Sequence, residues 1–226
     1  MNEIIKVENL EKIYNLGKPN ELKVLDNIDL KIKKGEMVTL FGPSGSGKST
    51  LLNIIGCLDR PTKGKLYIDG EDVSKLSDDK LALIRRKKMG FIFQQFNLIN
   101  VFTALENVEM PMKIANIKKD KCRKRAEELL KLVNLGERMD HFPSELSGGE
   151  MQRVAIARSL ANEPTVILAD EPTGNLDSKN GKEIFDLMCK LNSKGYTFII
   201  VTHDSNIAKN VKRRISLKDG KIVGGN

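Results

Sequence analysis

The chain has 226 residues and a formal net charge of +8, with 40% apolar and 30% charged residues. This length is enough to bury a substantial core, and this composition excludes a disordered or fibrous protein. No apolar run approaches the roughly 20 residues that span a bilayer, and the first residues lack the pattern of a secretory signal, so we expect a cytoplasmic protein that does not cross a membrane by itself.

In the first half of the chain, alternating apolar and polar residues predict strands, and a glycine-rich segment precedes the first helix. Turns containing glycine or proline separate these elements. The predicted strands are 4–7, 24–32, 36–41, 65–69 and 91–94, and the predicted helices are 49–58 and 74–89.

In the second half, a long stretch of helical periodicity, 105–135, precedes alternating helices and strands. Such alternation favours a parallel sheet with helical crossovers, so we predict an α/β fold with a helical subdomain inserted into its core. The remaining predicted elements are helices 147–161 and 179–192, strands 165–170 and 196–202, and a hairpin at 220–225.

The strand ending at Phe41 leads into a glycine-rich loop that ends in lysine and serine, and then into a helix. This order is specific for phosphate binding, because backbone N–H groups and a helix N-terminus face the anion. Lys48 is expected to contact the β- and γ-phosphates of ATP, and Ser49 to bind Mg²⁺. The residues of this predicted nucleotide site are Gly42, Pro43, Ser44, Gly45, Ser46, Gly47, Lys48, Ser49 and Thr50.

A buried strand ends in two adjacent carboxylates, Asp170 and Glu171. An acidic pair is costly in a core without a cation, so we expect it at the carboxyl edge of the sheet, where ligands bind in such folds. Asp170 is expected to reach Mg²⁺ through water. Glu171 is expected to orient or deprotonate the attacking water as the catalytic base.

Two further polar residues follow predicted strands at this edge. His203 follows Thr202 and is expected to hydrogen-bond the γ-phosphate, although a single histidine at a strand end is more often an ordinary surface residue. Gln94 offers an amide oxygen to the metal or to the attacking water. Both roles depend on the phosphate-binding loop nearby.

The positive charge is concentrated at 85–88, 118–125 and 212–214. Apolar residues recur at helical spacing through the middle cluster, which favours the solvated face of an amphipathic helix. We therefore do not expect nucleic acid as a partner, and a surface near anionic lipid stays open as another interpretation. The three cysteines have no close pair, so we expect neither a disulfide framework nor a zinc site.

Taken together, ordered motifs make the chain similar, over essentially its whole length, to the nucleotide-binding subunits of ATP-binding cassette (ABC) transporters. Residues 42–49 match the Walker A loop, 166–170 the Walker B strand, and Leu146-Ser-Gly-Gly-Glu150 the signature sequence. The other matching positions are Gln94 of the Q-loop, Leu176 and Asp177 of the D-loop, and the switch histidine, His203.

The resemblance implies a homodimer that encloses ATP and Mg²⁺. In the family, the Walker A loop of one chain and the signature of the other seal each ATP, so Ser147, Gly148 and Gly149 are expected to bind phosphate in trans. Tyr14 stands where the family places an aromatic residue that stacks on adenine, with ordinary packing as the other interpretation. Glu150 stands where glutamine is commonest, and the effect of its charge stays open.

Three stretches, 56–62, 90–98 and 103–108, are similar to the branch of the family for lipoprotein release, macrolide export and antimicrobial-peptide resistance. This branch implies export or extraction of a lipoprotein, peptide or drug through an integral membrane permease, with the subunit held peripherally at the inner face of the cell membrane. Apolar residues in 96–102 are expected to line a groove for the permease, or else to pack beneath the helical subdomain.

We therefore expect one ABC ATPase domain over 1–226, with a P-loop NTPase core, a mostly parallel sheet and an antiparallel β subdomain. The ATP-binding core is expected in 1–94 and 162–226, and the helical subdomain with the signature in 95–161. The expected reaction is hydrolysis of ATP to ADP and phosphate. The alternative is a soluble ABC-type ATPase that acts on nucleic acid or ribosomes.

Overall fold

The computed structural model describes residues 2–225, except the side chain of Asn206. The chain divides into two compact units, residues 2–84 with 195–225, and residues 85–194. Each unit contains its own strands, helices and buried apolar side chains. The predicted helical insertion, 95–161, lies within the second unit.

One layer of the first unit is an antiparallel sheet made from β1 (Glu3–Tyr14), β2 (Leu22–Lys33), β4 (Lys63–Ile68) and β5 (Glu71–Asp72). The strand order is β2-β1-β4-β5. Ile5, Val7 and Leu10 of β1 are all buried. The sheet thus buries the apolar positions of its strands, as alternation in the sequence predicts.

The other strands of the first unit are β3 (Met37–Phe41), β8 (Phe198–Thr202), β9 (Arg213–Lys218) and β10 (Lys221–Gly225). Strand β3 is parallel to both β8 and β9, and β10 is antiparallel to β9. The residues that follow β3 and β8 therefore lie at the same edge. The helices of this unit are α1 (Lys48–Ile55) and α7 (Ser205–Asn210).

The second unit combines the parallel strands β6 (Met89–Phe93) and β7 (Val166–Asp170) with a group of helices. They are α3 (Ala104–Ile114), α4 (Lys119–Leu132), α5 (Gly148–Ser159) and α6 (Ser178–Ser193), while α2 (Asp78–Lys88) begins in the first unit and ends in the second. Helix α5 packs against α3, α4, α6 and β6. The predicted apolar face of α4 is buried, and its lysines are exposed.

Two element boundaries differ from the prediction because asparagines adopt left-handed conformations. The first strand was predicted to end at residue 7 but runs to Tyr14. Asn9, with φ of 47°, lies at a shift in the register between β1 and β2, and the two strands pair again after it. The helical stretch 105–135 contains two helices, because Asn116, with φ of 57°, lies between α3 and α4. Asparagine tolerates this conformation better than most residues.

Strands β5 and β9 and helix α7 were not predicted. In β9, Arg213 and Arg214 precede the buried Ile215 and Leu217, so only two positions show the apolar face of the strand. Helix α7 has six residues, which is too short for a helical period to be recognised.

None of the helices in residues 2–225 is long and apolar enough to cross a membrane. The three cysteines form no disulfide. Within the same described range, no group of three or more His, Cys, Asp or Glu side chains is arranged to hold a metal ion.

Candidate functional site

The glycine-rich loop between β3 and α1 is packed so closely that glycine is required at two of its positions. A Cβ atom on Gly42 would lie 2.1 Å from the carbonyl oxygen of Leu217 in β9. Gly47 has φ of 98°, and a Cβ atom there would lie 2.7 Å from the side chain of Leu25 in β2. The loop backbone is therefore fixed against its neighbouring strands.

The ammonium group of Lys48 lies within this loop. Lys48 is 8% exposed, and its Nζ donates to the carbonyl oxygens of Gly42 at 2.8 Å and Pro43 at 2.7 Å. An ammonium group has three N–H donors, so one remains for a ligand. The group is thus fixed by the loop and still able to bind an anion.

The Ser46 hydroxyl provides a test of whether the loop fits a phosphate. Its Oγ is buried and has no hydrogen-bond partner among the described residues. Buried polar atoms without a partner are uncommon in folded proteins. A phosphate oxygen in the loop would supply one, so the residues present fit a bound phosphate group.

Tyr14 is held by hydrogen bonding and is 38% exposed. Its hydroxyl donates to Oδ2 of Asp59 at 2.9 Å, and Nζ of Lys12 lies 4.6 Å from the centre of its ring. Burial, and then the bond to Asp59, raise the pKa of Tyr14 above its ordinary value. The ring is therefore positioned but not enclosed, as a stacking surface requires.

His203 follows the last residue of β8, where its side chain is exposed. In the register of β3 and β8, Phe41 lies opposite Thr202. Gly42 and His203 therefore leave the same edge of two paired strands. This edge brings the predicted switch histidine and the start of the glycine-rich loop together.

In the second unit, Gln94 and Asp170 occupy the ends of the paired strands β6 and β7. Phe93 lies opposite Asp170 in the register, and Gln94 follows Phe93. The side chain of Gln94 donates to Oδ1 of Asn175 at 3.2 Å, and Asn175 donates to the carbonyl oxygen of Gln94 at 3.0 Å. Gln94 is thus held against the loop that follows β7.

Glu171 has φ of 46°, a left-handed conformation that is uncommon for a residue other than glycine. Such backbone strain is often concentrated at functional sites, where the surrounding structure must maintain it. The carbonyl oxygen of Glu171 accepts from the backbone N–H of Gly174 at 3.0 Å, and Nε2 of Gln152 in α5 donates to the carbonyl oxygen of Pro172, the next residue.

Gln152 is a functional candidate that the sequence analysis did not identify. It is fully buried, and besides Pro172 its amide also approaches the carbonyl oxygen of Phe93 at 3.5 Å. A signal was present in the sequence, because Gln152 shares a helical face with the buried Ala155, Ile156 and Ser159. A polar residue on an apolar helical face requires a buried partner.

The signature sequence forms the N-terminus of α5. Ser147 is the N-cap residue, and its Oγ accepts from the backbone N–H of Glu150, whose carboxylate accepts from the backbone N–H of Ser147 at 2.9 Å. These bonds form a capping box. The bond from the Ser147 backbone, and then the bond from its hydroxyl, lower the pKa of Glu150.

The second glycine of the signature contacts the predicted D-loop region. A Cβ atom on Gly149 would lie 2.9 Å from Oδ1 of Asn180. Asn180 lies in the first turn of α6, which is capped by Asp177 through the backbone N–H groups of Lys179 and Asn180. Hydrogen bonds from Asn180 lower the pKa of Asp177.

The predicted site residues are thus divided between the two units. The first unit holds Tyr14, the loop residues and His203, and the second holds Gln94, the signature, Asp170 and Glu171. Within each unit, the residues expected to act together lie at strand ends or at the start of a helix.

Comparison with known proteins gives matches over most of the chain. A family model described as ABC transporter matches residues 25–174. The chain is 54% identical over 224 residues to the ABC transporter ATP-binding protein MJ0796 of Methanocaldococcus jannaschii, covering 97% of this chain and 95% of that protein. It is 49% identical over 226 residues to the lipoprotein-releasing system ATP-binding protein LolD 1 of Rhodopseudomonas palustris, covering 99% of this chain and all of that protein.

A longer relative is the macrolide export ATP-binding/permease protein MacB of Wolinella succinogenes. It is 51% identical over 97% of this chain, which corresponds to 34% of MacB. Among solved structures, the dimeric post-hydrolysis state of the ATP-binding cassette MJ0796 bound to ADP and Pi has a TM-score of 0.88 and 51% identity, over 99% of this chain and 98% of that one. These comparisons confirm the resemblance, the fold class and the ATPase class that the motifs predicted.

Proposed function

From the premise that the chain belongs to the ABC transporter family, we propose that it is an ATP-hydrolysing subunit that powers a separate membrane permease. The observation that carries the proposal is the geometry of the loop, where Lys48 is buried against the carbonyl oxygens of Gly42 and Pro43. The buried hydroxyl of Ser46, which has no hydrogen-bond partner among the described residues, is also available to bind a phosphate oxygen.

The nucleotide is bound by residues of the first unit. Backbone N–H groups of residues 42–50 and the N-terminus of α1 bind the phosphates, and Lys48 contacts the β- and γ-phosphates. The ring of Tyr14, fixed by Asp59, stacks on the adenine.

The donor set of the site suits Mg²⁺. Ser49 offers a hydroxyl, Gln94 an amide oxygen and Asp170 a carboxylate, and Mg²⁺ prefers such oxygen ligands together with phosphates and water. When bound, the ion neutralises charge on the phosphates. Ser49 would hold the ion with its hydroxyl, and Asp170 would hold it through a water molecule.

Hydrolysis requires an oriented water molecule. Glu171 accepts a proton from the water or orients it for in-line attack on the γ-phosphorus, and His203 hydrogen-bonds the γ-phosphate. The hydrogen bond from Gln152 to Pro172 supports the strained backbone at Glu171. Charge developing in the transition state is stabilised by Lys48.

The complete site needs a second copy of the chain. Ser147, Gly148 and Gly149 start a helix, so the backbone N–H groups of the two glycines and the helix dipole favour an anion. We assign them to the γ-phosphate of ATP bound to the partner subunit. The dimeric MJ0796 structure supports this assembly.

The membrane partner is a permease that exports or extracts a lipoprotein, peptide or drug. The names of LolD 1 and MacB support this substrate range. Phe96, Leu98 and Ile99 are half-buried and Val101 is 77% exposed, so this apolar segment is accessible to a partner. The subunit then lies at the inner face of the membrane through its permease.

The test uses Glu171→Gln, which keeps the size of the side chain and removes its basicity. We expect it to bind ATP, to dimerise, and to hydrolyse ATP at least about a hundredfold more slowly, the usual scale of general base catalysis. Hydrolysis at the wild-type rate would show that Glu171 is not the base. Ser147→Arg in the same background should abolish ATP-driven dimerisation and leave ATP binding by the monomer intact.

The permease is tested by isolating the full chain from membranes and identifying the bound integral membrane protein. Salt-dependent binding to DNA or ribosomes, with no membrane protein recovered, would instead favour the soluble alternative.

A further inference from the structure

The carboxylate of Glu150 makes three polar contacts at the start of the signature helix. Its Oε2 accepts from the backbone N–H of Ser147 at 2.9 Å and from the Ser147 hydroxyl at 2.8 Å. Its Oε1 lies 3.3 Å from Nε of Arg138. The carboxylate thus connects the signature serine to a cation outside the motif.

A second capping box in the same unit shows what is particular about this arrangement. In α3, the backbone N–H of Thr103 donates to Glu106 at 2.9 Å, and the backbone N–H of Glu106 donates to the Thr103 hydroxyl at 3.2 Å. These are the two reciprocal bonds of the motif. The box at Ser147 has both of them and adds the bond from the hydroxyl to the carboxylate.

The added bond uses the only proton of the Ser147 hydroxyl. A serine hydroxyl has one donor, so a hydroxyl that donates to Glu150 cannot donate to a phosphate oxygen at the same time. Hydrogen bonds to a charged acceptor are about twice as strong as neutral ones. A carboxylate at position 150 therefore retains this proton more firmly than a glutamine amide oxygen would.

Arg138 is itself oriented towards the carboxylate. Its Nη1 lies 3.0 Å from Nε2 of His141. A guanidinium group has only donors, so Arg138 is the donor in this contact. The contact with His141 thus limits the freedom of Arg138, which partly offsets the negative charge of Glu150.

We propose that Glu150 is a positioning residue that competes with the γ-phosphate of ATP for the Ser147 hydroxyl, and that Arg138 sets the strength of this competition. The proposal rests on the proposed function, in which Ser147 binds the phosphate in trans. Closing of the dimer on ATP requires Ser147 to transfer its hydrogen bond from Glu150 to the phosphate. The negative charge of Glu150 also repels that phosphate, so this chain closes less readily than a chain with glutamine at 150.

The test measures ATP-driven dimerisation by sedimentation of the full chain in the Glu171→Gln background, where ATP is not consumed. Glu150→Gln keeps an acceptor for the capping box and removes the charge. We expect the dimer dissociation constant with ATP to fall about tenfold, since a charged acceptor is replaced by a neutral one at both sites. With ADP, which lacks the γ-phosphate, the constant should not change.

Glu106→Gln is the matched control, because it makes the same substitution in the capping box of α3. It should leave dimerisation unchanged, and both variants should stay folded, with only a small decrease in the thermal unfolding midpoint of the nucleotide-free chain because each loses a charged cap. An unchanged or larger dissociation constant for Glu150→Gln with ATP would overturn the proposal.

The role of Arg138 is tested with Arg138→Met, which keeps the aliphatic part of the side chain. It should weaken ATP-driven dimerisation about threefold when Glu150 is present, the scale of an exposed ion pair, and have no effect in the Glu150→Gln chain. Equal weakening in both backgrounds would show that Arg138 acts directly on the nucleotide, which contradicts the proposal.

These outcomes separate the proposal from the function on which it rests. If Glu171→Gln does not dimerise with ATP, or if Ser147→Arg does not prevent this, the assembly through the signature is wrong. If both behave as expected and Glu150→Gln has no effect, only the role of Glu150 fails.

Discussion

The buried side chain of Gln152 donates to the carbonyl oxygen of Pro172, one residue after Glu171. The same amide approaches the end of β6 at Phe93. One residue of the signature helix therefore contacts the backbone beside the proposed base and the backbone beside Gln94. We therefore expect the helix to support hydrolysis within a single chain.

Replacing Gln152 with methionine tests this connection, because methionine is similar in size but has no N–H donor. We expect kcat for ATP to fall about tenfold as Glu171 loses its backbone support, and the free energy of unfolding to fall by about 1–2 kcal/mol for the lost buried hydrogen bonds. ATP binding by the monomer should stay within about twofold of the wild type, since the loop at 42–50 is unchanged. A normal kcat would exclude a role in positioning.

Gly47→Ala should destabilise the chain more than the same change at another glycine with positive φ. At Gly47 the added methyl group meets the Leu25 side chain at 2.7 Å, whereas at Gly17, with φ of 74°, it meets nothing within 4 Å. Left-handed strain alone costs roughly 1–2 kcal/mol. Chemical denaturation should show a larger loss of unfolding free energy for Gly47→Ala than for Gly17→Ala, and Gly47→Ala should also lose ATP binding. Equal losses of unfolding free energy would mean that the loop can move away from Leu25.

Tyr14→Ala should weaken ATP binding about tenfold, because stacking of a base on an aromatic ring contributes on the order of 1–3 kcal/mol. Tyr14→Phe is the control, since it keeps the ring and removes only the hydroxyl that donates to Asp59. It should bind ATP within about twofold of the wild type. Titration of both variants with ATP distinguishes the two interpretations. If Tyr14 only packs within the protein, neither variant should change the affinity for ATP.

Stability should depend on pH through Asp177. Hydrogen bonds from Asn180 lower the pKa of this carboxyl in the folded chain. Because this pKa is lower in the folded chain than in the unfolded chain, the ionised carboxyl of Asp177 stabilises the fold. This stabilisation is complete at a pH above the pKa of Asp177 in the unfolded chain, and it is lost as the pH falls through the pKa in the folded chain. In the variant Asp177→Asn, the asparagine side chain still caps the helix but has no carboxyl group to titrate. The difference in unfolding free energy between the wild type and this variant should therefore shrink in acid. A constant difference would show that the charge is irrelevant.

Much of the site could be predicted because its residues follow strong local patterns. The glycine loop, the carboxylates after a buried strand and the Ser-Gly-Gly segment each combine a specific spacing with an element boundary that periodicity reveals. The buried face of α4 was visible for the same reason. Each of these motifs is thus short and local, although the motifs themselves lie far apart in the sequence.

The remaining features arise from contacts that are distant in the sequence. The close approach of Leu217 to Gly42, the bond of Tyr14 to Asp59 and the bond of Gln152 to Pro172 join segments with no common pattern. The bends at Asn9 and Asn116 depend on single residues whose left-handed conformation is optional. Local periodicity contains no information on either kind of feature.

The apolar segment at Phe96 contacts α5 near both of its ends. At one end is Ser147, and near the other Arg158 donates to the carbonyl oxygens of Phe96, at 2.7 Å, and of Asn97. A helix of 12 residues is about 18 Å long and resists compression along its axis. The ring of Phe96 also lies 3.7 Å from the position that a Cβ atom on Gly148 would take. We therefore expect a displacement of this segment to move the helix and its signature serine together, as one rigid unit.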